Sequence, residues 1–292
     1  RTSFAALLFN IIELNSLYLY FRPQFNKAVF GMDGDAHIEG KGIQSIDVGF
    51  RLVHALAEAG RPLPLKALAA AADMSPSKAH NYIVSFRRIR MIAKDAETGH
   101  YCLGPMAGDL GLSYLAQRDG LSIAERAIRL IRERGTLQNG LFVSIWSEKG
   151  PVIVACDEGG AGVPYELRVG HHSSPIYTAT GRMFLAHLPP SVTAPVIAAA
   201  AGETVSPWGG RAEELTAYEL ELELAGIRQF GVAVVTDLRI PGMTGIAAPV
   251  LDHRGKLDAV VTMIGVSGSF DMTLDGAVAN ELRDAIAVAR RS

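Results

Sequence analysis

Three short amphipathic segments, followed by two short apolar runs, occupy the stretch from residue 45 to residue 103. The first segment has apolar residues at helical spacing and is predicted to form a helix that Ser45 caps and Gly60 ends. Pro64 suits the first turn of a second helix, and Ser75 suits the N-cap of a third. The sequence therefore predicts three helices in close succession, with a tight connection between the second and the third.

The third predicted helix has two contrasting faces. Ala79, Ile83 and Phe86 face one way and form its apolar side. The other side and the N-terminal turns carry these polar or basic residues: Ser77, Lys78, His80, Asn81, Ser85 and Arg88. A helix that enters the major groove of DNA needs polar and basic side chains for base edges and phosphates, and an apolar back that anchors it. An ordinary solvated helix face is the alternative interpretation.

A predicted β-hairpin follows the third helix. Residues 91–94 and 100–103 are strand-like and flank the turn-rich segment 95–99, which is the arrangement of a wing. Lys94 and His100 are then expected to contact the sugar-phosphate backbone, which positions a protein without reading sequence. The predicted DNA contacts are: Lys66, Ser75, Ser77, Lys78, His80, Asn81, Ser85, Arg88, Lys94 and His100.

The basic charge of the chain is concentrated in this stretch. Residues 41–101 contain nine Lys and Arg against five Asp and Glu, a net charge of +4, although the whole chain carries −2. The remainder has nineteen basic and twenty-five acidic residues, a net charge of −6. This asymmetry favours a nucleic-acid partner for the N-terminal part, with a solvated basic surface as the alternative.

Several segments resemble the IclR family of bacterial transcriptional regulators. The family's first helix, helix-turn-helix, and wing with linker helix are similar to these segments: SIDVGFRLVHALAE, PLKALAAAADMSPSKAHNYIVSF and GHYCLGPMAGDLGLSYL. Its effector domain resembles these: VGHHSSPIYTATGRMFLAHLP, IRQFGVAVVTDLRIPGMTGIAAPVLD and HRGKLDAVVTMIGVSG. The resemblance runs from about Ile43 to Ala289. The family usually has Arg where Asn81 stands and Gly where Arg90 stands, differences that bear on the operator sequence more than on DNA binding itself.

The expected fold class is α+β. We expect a winged helix-turn-helix at 41–104, a linker helix at 105–120, and at 121–292 an effector-binding domain with a helix-covered antiparallel sheet, which the resemblance makes GAF-like. The predicted helices of this last domain are 121–134, 180–187, 212–225 and 274–290, with residues 119–120 as a loop before the first. The predicted strands are 141–146, 152–156, 232–236, 245–251 and 256–266.

Residues 1–40 are interpreted as an extra or flexible segment, with Met32 as the suspected natural start. The stretch from Phe4 to Phe21 is about as long as the shortest membrane-spanning helices, but Glu13 and two asparagines would lie in its middle. We therefore predict no membrane partner. An amphipathic helix that binds a partner is the alternative.

An effector site is predicted where the C-terminal segments meet. Thr178, Thr180 and Gly181 begin a helix whose backbone N–H groups and positive dipole end can hold a carboxylate, with simple N-capping by a threonine as the alternative. The resemblance implies pocket-lining positions, where a family member that binds small polar acids has Asp, Cys and Ser. The residues at or beside these positions are Val169, Gly170, Val235, Asp237, Gly245, Thr262 and Ile264.

These substitutions make the expected pocket more apolar than that of a regulator for small polar acids. Val, Gly and Ile replace polar side chains and leave mainly Thr262, with Asp237 nearby. A mainly apolar pocket with few oriented polar groups favours an aromatic or larger carboxylate over a two-carbon acid. The predicted function is a regulator of a catabolic pathway that responds to such an effector.

No cofactor and no metal site are predicted. Cys102 and Cys156 are too few for a disulfide scaffold and fit a reducing cytoplasm. His171 and His172 lack evident metal-ligand partners at useful spacing, so covering the pocket mouth is the preferred interpretation over a metal site.

The expected assembly is a homodimer or homotetramer, and the resemblance implies that the linker helix takes part in dimer contacts. Symmetric pairing predicts a roughly palindromic double-stranded operator. The alternative function is a hydrolase that uses the C-terminal domain, but the sequence contains no G-x-S-x-G motif and no evident nucleophile, base and acid set. We therefore predict that the chain is not an enzyme.

Overall fold

The computed structural model of the protein describes these residues: 42–159, 167–200, 216–237 and 240–291. The N-terminal segment, with its apolar stretch and Met32, lies outside the described residues, as do the first residues of the helix predicted at 212–225. Among the helices of the described ranges, none is both long enough and apolar enough to cross a membrane.

The first helix, α1, spans Gln44–Ala59 and differs from the prediction at its cap. Its N-cap is Ile43, and no side chain caps the helix there, so the predicted capping role of Ser45 is wrong. The physical reason is that Ser45 stands inside the first turn, where its own backbone is already helical. Gly60 ends the helix as predicted, in a left-handed conformation with φ 58°, and its N–H bonds to the Leu56 carbonyl.

The helix-turn-helix consists of α2, Leu65–Ala71, and α3, Pro76–Arg88. Asp73 makes the tight connection between them with a positive φ of 51°. Ser75 caps α3 as predicted, because its hydroxyl accepts the backbone N–H of Lys78 at 3.3 Å. The predicted start of α3 is therefore confirmed.

The three helices share one apolar core. Ala79, Ile83 and Phe86, the predicted apolar side of α3, are all buried there. Other buried members of this core are: Leu52, Leu56, Leu68, Ala69 and Ala72. Because its apolar side is fully used, α3 presents only its polar side outward.

The predicted wing is a two-stranded antiparallel hairpin of β1, Ile92–Lys94, and β2, Tyr101–Leu103. Asp95 shapes its turn by accepting the backbone N–H of Thr98 at 2.7 Å, and this bond lowers the pKa of Asp95. Leu63 and Tyr101 exchange two backbone hydrogen bonds, of 2.9 and 2.8 Å. These bonds hold the wing against the helices.

The linker helix α4 spans Pro105–Ala116, and α5 spans Asp119–Arg134. The loop predicted at 119–120 is wrong, because both residues belong to the first turn of α5. A carboxylate far along the chain accounts for the difference: Asp258 accepts the backbone N–H of Gly120 at 2.8 Å. The first N–H groups of a helix need hydrogen-bond partners from outside the helix. Here the partner is far away in the sequence, so the pattern of neighbouring residues could not predict it.

A five-stranded antiparallel sheet forms the centre of the C-terminal part, in the order β4-β3-β7-β6-β5. Its strands are β3, Gly140–Ser147; β4, Gly150–Asp157; β5, Ala233–Thr236; β6, Met243–Leu251; and β7, Leu257–Val266. Each predicted strand is present, and no strand end differs from the prediction by more than two residues. The sheet and its helices confirm a mixed α+β fold.

The described residues of this part contain four further helices: α6, Ala179–His187; α7, Pro190–Ala200; α8, Ala217–Phe230; and α9, Ala277–Arg291. The sequence did not predict α7. It placed α8 about five residues too early, because a reciprocal capping box between Thr216 and Glu219 sets the start of that helix. Similarly, α9 starts after the prediction, where Asp271 accepts the Ala277 N–H at 3.2 Å.

The sheet is covered on both faces. One face packs against α5 and α9 through residues such as Leu141, Ile246 and Met263. The other face packs against α6 and α8 through residues such as Val235 and Val260. Successive residues of a strand point to opposite faces, so β7 contributes to both layers.

Replacing Arg90 with Gly is expected to stabilise the winged domain. Arg90 has a φ of 60°, in the left-handed region that glycine adopts without steric cost. We expect a gain of about 0.5–1 kcal/mol in the free energy of unfolding, after subtracting the greater flexibility of glycine in the unfolded chain. Urea denaturation measures it. Asp73→Gly is the control, because aspartate tolerates this conformation better, and equal gains for both variants would contradict the steric argument.

Candidate functional site

The outer side of α3 and the wing forms the candidate DNA-binding surface. Of the predicted contacts, His100 is half-buried. The remaining nine are exposed: Lys66, Ser75, Ser77, Lys78, His80, Asn81, Ser85, Arg88 and Lys94. The structure thus leaves the polar side of α3, Lys66 of α2 and Lys94 of the wing exposed within one winged domain.

Not all of these side chains are equally available for DNA. The Ser75 hydroxyl already caps α3, and the Ser85 hydroxyl donates to the Asn81 carbonyl at 3.5 Å. Lys78 lies in the first turn and Arg88 at the last residue of α3, about 15 Å apart at 1.5 Å per residue. Base contacts therefore suit the short polar side chains in the N-terminal half of α3, whereas Lys78 and Arg88, near its two ends, suit contacts with the phosphate backbone.

In the C-terminal part, three predicted effector residues form one row across neighbouring strands. Val235 of β5 pairs with Gly245 of β6, which pairs with Ile264 of β7. Thr262 lies two residues before Ile264 and therefore on the same face. Residues of three different strands are thus brought together beneath α6.

The start of α6 lies directly on this row. The hydroxyls of Thr180 and Thr262 are 2.7 Å apart, and both side chains are buried. A Cβ added to Gly245 would stand 3.5 Å from the Cβ of Ala179, an ordinary contact. The structure therefore places a small residue and a hydroxyl pair where helix and sheet meet.

Thr178 caps α6 from both sides. Its hydroxyl accepts the Gly181 N–H at 3.0 Å and donates to the Ser174 carbonyl at 2.7 Å. A Cβ on Gly181 would come within 2.3 Å of the same carbonyl, so the close approach of this loop requires glycine. The Gly181 N–H that we assigned to a carboxylate is thus bonded within the protein.

Three other predicted effector residues lie apart from this row. Asp237 is exposed, and its carboxylate accepts the Gly242 N–H at 2.7 Å and the Ser267 hydroxyl at 2.9 Å. Val169 and Gly170 are exposed beside β4, where the Gly170 N–H donates to the Ile153 carbonyl at 2.8 Å. The strand order puts β4 and β5 at opposite edges, about 19 Å apart.

Arg182 is a buried charge that the sequence analysis missed. Only 4% of it is exposed. Its Nε donates to the Ile176 carbonyl at 2.7 Å, and it forms an ion pair with Glu223 of α8. The signal was a single arginine in an otherwise apolar helix, GRMFLAH. This side chain joins α6, the loop before it, and α8.

The paired histidines lie in the segment that runs along β4. Burial and, to a smaller extent, the charge of Lys149 lower the pKa of His172. His172 forms an antiparallel bridge with Val152. Within the described ranges, no group of three His, Cys, Asp or Glu is arranged to hold a metal ion.

Comparison with known protein families identifies both halves of the chain. Residues 45–96 match the IclR helix-turn-helix domain, and residues 141–289 match the C-terminal domain of bacterial transcriptional regulators of the IclR type. SauR, a probable transcriptional regulator of Cupriavidus necator, is 26% identical over 219 residues, which are 73% of this chain and 82% of SauR.

Solved structures have the same architecture. HmgR of Pseudomonas aeruginosa is 27% identical, with a TM-score of 0.51, over 85% of this chain and 96% of that chain. An IclR homologue from Microbacterium hydrocarbonoxydans, solved in complex with 4-hydroxybenzoate, is 18% identical, with a TM-score of 0.64, over 84% of this chain and 98% of that chain. At 18% identity, the second match shows a shared fold.

The buried hydroxyl pair is expected to be cooperative. Thr180→Val leaves the Thr262 hydroxyl buried without this partner, so we expect the free energy of unfolding to fall by about 1–3 kcal/mol. Replacing both threonines with Val removes both polar groups and should recover most of the loss. Urea denaturation of the single and double variants measures this coupling. Losses that simply add would show that the two hydroxyls do not depend on each other.

Proposed function

The chain belongs to the IclR family of bacterial transcriptional regulators, and on this basis we propose that it binds operator DNA through α3 and the wing under the control of a small organic acid. The observation that carries the proposal is the outer side of α3. Its polar and basic residues are exposed, while the apolar residues on the opposite side are buried in the core. This is the arrangement that a recognition helix needs in a major groove.

We propose a homodimer or homotetramer as the working assembly. Within the described residues, α4 buries none of its own side chains, although it is rich in large apolar ones. Those exposed on it are Met106, Leu110, Leu112 and Tyr114. Met106, Leu110 and Tyr114 follow one another at intervals of four residues and therefore share one side of α4, which supports contact with a second copy. Two symmetric winged domains would then meet a roughly palindromic operator.

We propose an aromatic or larger carboxylate as the effector. Val235 and Ile264 give the row beneath α6 an apolar character, and Thr262 adds a hydroxyl. A mainly apolar site with few oriented polar groups suits an aromatic acid. The structural neighbour from Microbacterium hydrocarbonoxydans, which was solved with 4-hydroxybenzoate, supports the same ligand class.

In this proposal the ligand is sensed and not converted. The protein works in the bacterial cytoplasm, where its operator lies, and controls genes of a catabolic pathway that consumes the acid. A ligand can change DNA binding only through unequal affinity for two arrangements of the protein, with typical couplings of about 1–3 kcal/mol. Failure of the protein to hydrolyse a small aryl ester such as 4-nitrophenyl acetate distinguishes this function from that of a hydrolase.

Lys78→Ala is expected to weaken DNA binding at every sequence. Loss of one phosphate contact should lower affinity for the DNA upstream of the protein's own gene and for unrelated DNA by similar factors. The slope of log affinity against log salt should become shallower by about 1. Gel shifts over a salt series measure both. Lys256→Ala, an exposed lysine in the β6–β7 turn, is the control, and a wild-type slope for Lys78→Ala would remove this residue from the DNA surface.

Gly245→Ala is expected to weaken effector binding without disturbing the fold. The added methyl group would stand 3.5 Å from Ala179 and 3.8 Å from Thr262, which are ordinary contacts. We expect the affinity for 4-hydroxybenzoate to fall about tenfold or more, because one extra methyl or methylene group in a hydrophobic pocket typically has an effect of this size. Calorimetry measures the affinity, and urea denaturation checks the fold.

Gly226→Ala is the matched control, because its added methyl group, on α8, meets nothing within 4 Å. Its affinity for 4-hydroxybenzoate should equal that of the wild type. Micromolar binding of glyoxylate, together with no binding of benzoate-like acids, would overturn the proposed ligand class.

A further inference from the structure

Asp258, in β7, stands where the linker joins the sensing part of the chain. One carboxylate oxygen lies 2.5 Å from the Arg118 guanidinium, and the other accepts the Gly120 N–H at 2.8 Å. Only 17% of the Asp258 side chain and 19% of the Arg118 side chain are exposed. One carboxylate thus holds both the residue that precedes α5 and the first turn of that helix.

A β-bulge aims this carboxylate at the linker. Ala259 pairs with Val250, but the next pair is Leu257 with Leu251, so Asp258 is an extra residue in β7. Leu257 packs towards α6 and α8, whereas Ala259 packs towards α5 and α9. Bulges redirect side chains and locally increase the twist of a strand. Here the bulge turns Asp258 to the side of the sheet that α5 covers.

Arg118 connects Asp258 to α4. It donates to the Tyr114 hydroxyl at 2.7 Å, and its guanidinium carbon lies 5.6 Å from the centre of the Tyr114 ring. Tyr114 is in the last turn of α4. Arg118 also donates to the Asp258 carbonyl at 2.6 Å, so backbone and side chain of the same β7 residue hold it.

The same strand reaches the proposed effector site. Thr262, which is bonded to Thr180 of α6, follows Asp258 by four residues, about 13 Å along the strand. We propose that Asp258 is a positioning residue that couples the state of the effector site to the orientation of α4, through Arg118 and Tyr114. This inference rests on the proposed function, because it gives the route by which an effector beneath α6 acts on the winged domains.

The β-bulge at Asp258 makes this route physically reasonable. A change in the twist of β7 at Thr262 is relieved most easily at the bulge, where the ladder of hydrogen bonds is already interrupted. Movement there shifts the two carboxylate bonds of Asp258 and, with them, Arg118. Because α4 buries none of its own residues within the described ranges, a small change in this joint is enough to redirect it.

Asp258→Asn in the full chain tests the proposal, because it keeps the size of the side chain and removes the charge that faces Arg118. Hydrogen exchange followed by mass spectrometry is the first readout. We expect exchange across residues 105–118 to rise about fivefold or more, while exchange in β7 and α9 stays near wild type. Arg118→Ala should give the same result, and the double variant no more than either single one, because both break one interaction.

Asp157→Asn is the matched control. Asp157 pairs with Arg132 at 2.9 Å in the same part of the chain, on β4, away from the linker. Its exchange across residues 105–118 should equal that of the wild type. A uniform rise through α5, β7 and α9 in Asp258→Asn, or the same pattern in both variants, would overturn the proposal, since either shows a purely structural role.

The second readout is the change in DNA affinity on adding 4-hydroxybenzoate. Asp258→Asn should bind the acid as the wild type does but lose about fivefold or more of its effect on DNA binding. A wild-type response in Asp258→Asn would overturn the coupling. If the wild type itself binds DNA but ignores the acid, the proposed ligand class fails, and the exchange experiment alone decides the role of Asp258.

Discussion

The fold of the C-terminal part depends on the burial of both faces of β7. This strand lies in the middle of five, and its alternate residues face two different helix layers. A slip of one residue would exchange Met263 with Thr262 and put a hydroxyl into the layer beneath α5 and α9. The cost of burying an unpaired polar group excludes that register. The same pairing that builds the core therefore also determines which polar atoms face α6.

Among the described elements, periodicity predicted all but α7, but it placed their ends less well. The apolar spacing of α1 and α3 and the apolar runs of β6 and β7 are local signals, because burial imposes them residue by residue. Helix starts depend on which atom satisfies the first N–H groups. For α5 that atom belongs to Asp258, 138 residues away from Gly120, which no local pattern can indicate. For α8 the capping box was visible in the sequence but was overlooked.

The candidate sites divide in the same way. The main part of the candidate DNA surface is one helix, α3, and spacing alone predicted the exposed and buried sides of that helix. The effector row joins Val235, Gly245 and Ile264 across three strands, and only the family resemblance could gather them before the pairing was known. The resemblance does not report how Asp237 and Gly170 use their polar groups, which the structure shows bonded within turns and at a strand edge.

In the proposed function, a small ligand acts on a large surface, and the contrast between the sheet and the linker gives a physical reason for this. Beneath α6 the residues are packed on both sides, so an added group has little free space and must displace something. The linker has the opposite character: α4 buries none of its own residues within the described ranges and presents apolar side chains outward. Couplings between sites amount to only about 1–3 kcal/mol. A difference of that size is small beside the packing of the core, but it is comparable with the hydrogen bonds and the ion pair by which Arg118 joins α4 to Asp258.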